Sequence, residues 1–150
     1  MSLEARYRTQ IVVPRAQLVA LRGNFLETPC GDLLRRALDK VARDRGGTLA
    51  DGHRNSTGCG RSRPVLLSLR TPDCPLGVGV DVDADGHVVF RYDALAAGST
   101  AAKRLCEEIT QTYAVLAVMR AQARHGFQVS VDEQPIGEGR KRVVVRGVMA

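Results

Sequence analysis

The sequence predicts one α+β domain in which an antiparallel sheet carries its helices on one face. Segments rich in β-branched residues and segments with helical apolar spacing follow one another in the order β, α, α, β, β, β, α, β, β. Such an order of strands and helices is typical of an antiparallel sheet covered by helices on one side. The length of 150 residues and a hydrophobic fraction of 44% fit a single domain over 1–150.

The first three predicted elements are a strand and two helices. Residues 7–13 (YRTQIVV) form the strand, which ends at Pro14 because proline has no N–H to donate to a sheet. Pro14 opens a short helix that stops at Gly23. Asp32 is the predicted N-cap of the second helix, which runs to Gly46 and whose apolar face consists of Leu33, Leu34, Ala37, Leu38, Val41 and Ala42.

The sequence pattern in the centre of the chain predicts three strands. The first of them is residues 65–69. Residues 76–82 alternate, so that one face of the second strand carries Leu76, Val78, Val80 and Val82. With residues 87–92 they are predicted to form a β-hairpin whose turn contains Asp85-Gly86, a pair typical of tight turns.

The C-terminal third predicts the longest helix and a closing hairpin. Ser99 is the predicted N-cap, and the helix covers residues 100–125. Its apolar stripe consists of Leu105, Ile109, Tyr113, Leu116 and Met119. Residues 127–131 and 142–148 are predicted to pair as strands across a polar turn that contains glycine.

Two basic segments are candidates for binding a polyanion. Residues 50–64 have neither periodicity nor apolar content, which predicts a flexible basic loop, and this loop carries Arg54, Arg61 and Arg63. The second segment is Arg140, Lys141 and Arg142. A formal net charge of +6 suits contact with phosphates. However, the absence of Trp and the presence of only three Phe and three Tyr leave few platforms for base stacking, so nucleic-acid association stands as an alternative function.

One segment of the sequence suggests a calcium-binding loop. Asp81, Asp83, Asp85 and Gly86 match the first half of an EF-hand loop. The twelfth position is Tyr92, where a bidentate Glu is needed to complete the calcium shell. We therefore expect a hairpin turn at this segment.

The cysteines suggest a metal or thiol site. His53, Cys59 and Cys74 lie in or near one loop, but no CxxC pair accompanies them, as structural zinc usually requires. Cys59 lies between glycines and near arginines that lower a thiol pKa, yet a catalytic cysteine also needs a positioned base. We therefore expect no catalytic, cofactor-binding or metal-ligating residue, and a metal- or thiol-dependent enzyme is the least favoured alternative.

The sequence contains neither a signal-peptide core nor a run of about 18 apolar residues. We therefore expect a soluble cytoplasmic protein that has no membrane partner and keeps its four cysteines reduced.

The stretch from Gly86 to Val148 carries a recognisable pattern. It consists of Ile109-Thr110-Gln111, Tyr113-Ala114, Gly126-Phe127-Gln128-Val129 and Arg142-Val143-Val144-Val145. This pattern resembles the hypothetical chloroplast open reading frame thirty-five family, a plastid and cyanobacterial family of small domains of unknown function. Thr9-Gln10-Ile11 is similar to the opening strand of that family, whereas residues 26–63 have no counterpart in it.

The resemblance implies an accessory role, because members of that family tend to be encoded near AAA-type ATPases. It implies no reaction, cofactor or residue role. We therefore expect a non-enzymatic interaction or accessory protein with a protein partner, such as a subunit or adaptor of a complex associated with an AAA-type ATPase.

Overall fold

The computed structural model describes residues 4–51, 65–95 and 99–149. Within these ranges the chain forms seven β-strands, three α-helices and two 3₁₀ turns. In chain order the elements are β1 (Glu4–Val12), α1 (Arg15–Leu18), the 3₁₀ turns Val19–Arg22 and Phe25–Glu27, α2 (Pro29–Arg45), β2 (Thr48–Asp51), β3 (Leu67–Thr71), β4 (Cys74–Val82), β5 (His87–Asp93), α3 (Ser99–Arg124), β6 (Phe127–Gly137) and β7 (Arg140–Met149). The predicted α+β class is confirmed.

Five strands form the main sheet in the order β1-β5-β4-β3-β2, and all neighbouring pairs are antiparallel. The predicted central hairpin is present as β4 and β5. In its turn the Asp83 carboxylate accepts hydrogen bonds from the backbone N–H groups of Asp85 (3.0 Å) and His87 (2.9 Å). Because an Asp side chain bonded to nearby backbone stabilises a turn, this carboxylate helps to set the hairpin register.

Helices α2 and α3 pack on one face of the main sheet, as predicted. Their buried side chains join the inward-facing side chains of the strands in one cluster, which includes Leu34, Leu38, Leu105, Ile109, Val80 and Phe90. Full burial of such a side chain contributes about 1.5–3 kcal/mol, so this cluster is the main source of stability.

Helix α2 begins earlier than the sequence predicts. Thr28, and not Asp32, is the N-cap: its Oγ1 accepts a hydrogen bond from the N–H of Gly31 at 3.2 Å. Pro29 suits the first helical position because an N–H there would have no partner within the helix. Asp32 lies in the first turn, where its carboxylate is 3.0 Å from Arg120 of α3 and so ties the two helices together.

Strand β4 does not alternate along its whole length. Leu76, predicted to share the inward face with Val78, is 38% exposed, whereas Cys74 is buried. The cause is a bulge, because the register between β3 and β4 shifts beyond the Leu69–Val78 pair and Gly77 has a φ of 78°. A step of two residues along β3, from Leu69 to Thr71, faces a step of four along β4, so Leu76 turns outward within the bulge and Cys74 is buried again beyond it.

A short strand occupies the start of the segment predicted to be a flexible loop. Strand β2 pairs antiparallel with β3, so residues 50 and 51 belong to the sheet and not to a loop over 50–64. Residues 52–64 lie outside the described ranges. No strand signal is present in this segment of the sequence, since Leu49 is the only large apolar residue of β2.

The C-terminal strands pair with each other, as predicted, but form a separate two-stranded sheet. We call this unit the C-terminal hairpin. Three residues of α3 contact this hairpin. Glu107 pairs with Arg140, the Gln111 amide donates to the Lys141 carbonyl, and the Gln122 side chain lies against Gly147. At about 100° per residue these three positions lie opposite the buried residues of α3, so the helix separates the main sheet from the hairpin.

Candidate protein-interaction surface

The second half of α3 and the C-terminal hairpin form a surface that the core does not bury. The buried residues of α3 end at Thr112, although the helix continues to Arg124. No residue of β6 or β7 is fully buried. A two-stranded hairpin is marginally stable in water, so its packing on α3 is what holds it in place.

The C-terminal hairpin has two distinct faces, because side chains alternate along a strand. The inner face, toward α3, contains the cross-strand pairs Val131–Val145 and Glu133–Val143. The outer face contains the pairs Gln134–Arg142, Asp132–Val144, Ser130–Arg146 and Gln128–Val148.

An apolar cleft of about 300 Å³ lies between the inner face and α3. Its apolar walls are Val115, Leu116, Met119, Val131 and Val143. Val118, on the same stretch of helix, is 45% exposed. Concave apolar sites of this size are suited to taking up side chains or small molecules.

The rim of this cleft is charged. The Glu133 carboxylate lies 3.6 Å from Nζ of Lys40 and 3.3 Å from Nζ of Lys141. Lys40 also donates to the Asp44 carboxylate at 2.8 Å, and this hydrogen bond is the main cause of a raised pKa of Lys40 and a lowered pKa of Asp44. An apolar floor within a charged rim is the usual composition of a protein–protein contact.

A second cleft, of about 250 Å³, lies at the turn end of the C-terminal hairpin. Its charged lining consists of Arg45, Arg104, Glu107, Glu108, Arg140 and Lys141. The guanidinium of Arg45 donates to Glu108, with Nε at 2.8 Å, and Arg140 lies 3.7 Å from Glu107. These ion pairs connect α2 and β7 to α3, which gives the charges a structural use.

The outer face alternates cations and valines along β7, in the order Arg142, Val144, Arg146, Val148. Among the residues that the structure describes, neither arginine makes an ion pair. The only carboxylate opposite them, Asp132, accepts a hydrogen bond from the Gln134 amide at 3.1 Å. The outer face therefore carries two uncompensated positive charges separated by valine.

The structure separates the residues predicted to bind a polyanion. Arg54, Arg61 and Arg63 lie outside the described ranges. Arg140 and Lys141 are paired with Glu107 and Glu133 on the side toward α3, whereas Arg142 lies on the outer face. Alternation along β7 places Lys141 and Arg142 on opposite faces, whereas Arg140 lies beside the shift in register between Pro135 and Gly137 and reaches Glu107. Polyanion binding by the six residues stays a prediction.

Sequence reasoning missed Arg146 and the apolar cleft. One signal was present: Val143-Val144-Val145 places valine on both faces of β7, as in strands that are covered on both sides. In the structure β7 is covered on one face only, and Val148 of the outer face is 62% exposed.

The segments suggestive of metal or thiol chemistry have structural roles where the structure describes them. Cys74 is buried in β4, and burial raises the pKa of its thiol. His53 and Cys59 lie outside the described ranges. Asp83, in the calcium-like motif, holds the hairpin turn and lies 3.2 Å from Arg8. Over residues 4–51, 65–95 and 99–149, no three His, Cys, Asp or Glu side chains are grouped to hold a metal ion.

Comparison with family models, curated proteins and solved structures finds no significant match to this chain. Among the described helices, none is long and apolar enough to cross a membrane.

Proposed function

We propose that this protein is a non-enzymatic interaction protein that binds another protein through the C-terminal hairpin and the second half of α3. One observation carries the proposal. The hairpin has valines on both faces of β7, yet no residue of its two strands is fully buried. Apolar surface left open beside a charged rim is typical of a protein-binding site.

The charged side chains around the two clefts support a binding role over a catalytic one. A general acid or base must reach substrate with its proton-transferring atom. Here Glu108 is paired with Arg45, Glu107 with Arg140, and Glu133 with lysines. The carboxylates nearest the clefts are thus used to join elements of the fold.

We also propose that the protein acts in the cytoplasm as an accessory subunit or adaptor of a complex associated with an AAA-type ATPase. This part rests on the sequence resemblance over residues 86–148. Nucleic-acid association is less well supported, because Arg140 and Lys141 already lie beside carboxylates that repel phosphate.

Site-specific photo-crosslinking tests the proposal. A benzophenone amino acid is placed at Val118, which is 45% exposed on the proposed surface, or at Val19, which is 85% exposed on the first 3₁₀ turn. Each variant is expressed in the native host and irradiated, and crosslinked proteins are identified by mass spectrometry.

We expect Val118 to give a discrete crosslinked protein that is absent from the Val19 sample, although Val19 is the more exposed position. Crosslinking that simply follows exposure, with more products from Val19, would contradict the proposed surface. Crosslinks from neither position would contradict it as well.

A further inference from the structure

We propose that the free edge of β7 binds an extended acidic segment of the partner protein, in which two carboxylates four residues apart flank an aliphatic residue. The inference rests on the proposed interaction function and names the chemistry of its partner.

The first support is the spacing of the uncompensated charges. Arg142 and Arg146 share the outer face, with Val144 between them. At about 3.3 Å per residue their positions are roughly 13 Å apart along the strand. An extended segment with the pattern Glu-x-Val-x-Glu has the same spacing, so each carboxylate meets one arginine and the aliphatic residue meets Val144.

The second support is the open edge. The C-terminal hairpin has two strands, so within the described residues each has an edge that pairs with no further strand. Unpaired strand edges bind extended segments through main-chain hydrogen bonds, while alternate side chains give specificity. Pro135 has no N–H to offer at the β6 edge, whereas β7 contains no proline.

The third support is the charge of β7 itself, which argues against a second copy of this chain. Strand β7 carries four basic residues and no acidic one. Two β7 edges paired about a two-fold axis would bring arginines together, and like charges opposite each other destabilise a sheet. Strand β6 of a second copy offers only Asp132 among its outer-face residues, which cannot serve both arginines.

A peptide titration tests the inference. The probe is an acetylated peptide of about 11 residues that contains the pattern Glu-Thr-Val-Thr-Glu. The matched peptide has Lys in place of both Glu residues. Binding is followed through the backbone amide signals of ¹⁵N-labelled full-length protein. The variants are R142Q/R146Q and R6Q/R15Q, the latter removing two exposed arginines of the same charge outside the hairpin.

We expect the acidic peptide to shift the amides of residues 142–148. R142Q/R146Q removes two opposite-charge cross-strand pairs, so it should raise the Kd of the peptide about tenfold. R6Q/R15Q removes none of these pairs and should raise the Kd less than twofold. The charge reversal R142E/R146E should transfer binding to the Lys peptide, a gain that a misfolded variant cannot produce.

Four results would overturn the inference: no shift at millimolar peptide, equal binding by R142Q/R146Q, shifts confined to other elements, or tighter binding of an oligothymidylate that depends on the same two arginines. Partner crosslinks from Val118 are independent of this titration. If those crosslinks form and the peptide fails, the interaction function stands and the partner chemistry is wrong; if the crosslinks fail, the function itself is wrong.

Discussion

Two separate substitutions to alanine in α3, at Ile109 and at Val118, test whether the second half of this helix is free to bind a partner. Ile109 lies in the buried half and is fully buried, whereas Val118 lies in the second half and is 45% exposed. Both become alanine, the best helix former, so helix propensity does not oppose either change. A difference in the free energy of unfolding between the two variants therefore reports burial.

The expected magnitudes follow from burial. Ile109→Ala removes three carbons, or about 2.4 kcal/mol at about 0.8 kcal/mol per buried methylene. The cavity adds to this, so the loss should be about 3–4 kcal/mol. Val118→Ala removes two carbons that are only about half buried, or roughly 0.8 kcal/mol. The higher helix propensity of alanine offsets about 0.5 kcal/mol of that loss.

Urea unfolding followed by far-UV circular dichroism measures both values, and an unchanged m-value shows that the midpoint shift reports stability. A loss above about 1.5 kcal/mol for Val118→Ala would mean that this half of α3 is buried in the free protein, which would refute the proposed surface. A loss below about 1 kcal/mol for Ile109→Ala would refute the placement of the core.

Three further predictions follow from local contacts. Gly31→Ala should lower the free energy of unfolding in urea by about 3 kcal/mol, because the added Cβ would lie 2.0 Å from the Phe25 carbonyl oxygen. Gly23→Ala is the control: nothing lies within 4 Å of its Cβ, so it should cost under about 0.5 kcal/mol. Equal losses in the two variants would contradict the close approach at Gly31. For Asp83, burial acts to raise the pKa, but backbone N–H donors and the Arg8 guanidinium outweigh it and lower the pKa. The stability that the ionised Asp83 contributes is present above its unfolded-state pKa and is lost as pH falls through its folded-state pKa. On acidification below about pH 5, the Asp83→Asn variant should therefore lose less stability than the wild type. Parallel curves of stability against pH for the two proteins would contradict this role of Asp83. In a Cys59→Ser protein the three remaining thiols are buried with raised pKa values, so they should react with Ellman's reagent at pH 8 only in denaturant; rapid native reaction would show that they are accessible.

Local signals in the sequence were sufficient for much of the fold. The apolar stripe of α3 predicts a helix over 100–125, and the structure has it at Ser99–Arg124. The Asp85-Gly86 turn predicts the central hairpin, which β4 and β5 form. These elements were predictable because neighbouring residues determine them, through helical periodicity and through turn geometry.

Features that depend on tertiary contacts were not predictable in the same way. The bulge at Gly77 exposes Leu76, and alternation alone cannot locate it. Strand β2 has little apolar character and forms because β3 offers an edge. The outer face becomes visible only once the β6–β7 register places Arg142 and Arg146 on the side away from α3.

The two sides of α3 make stability and binding separable in this protein. Its buried side, through residues such as Leu105 and Ile109, fixes the helix on the main sheet. At about 1.5 Å per residue the helix is roughly 39 Å long, so its second half continues for more than 15 Å past the last buried residue, Thr112. That half is held rigid by the first, and the hairpin packed on it is ordered before a partner arrives. Because ordering a segment on association costs binding free energy, a surface prepared in this way binds more tightly than a flexible one of the same composition.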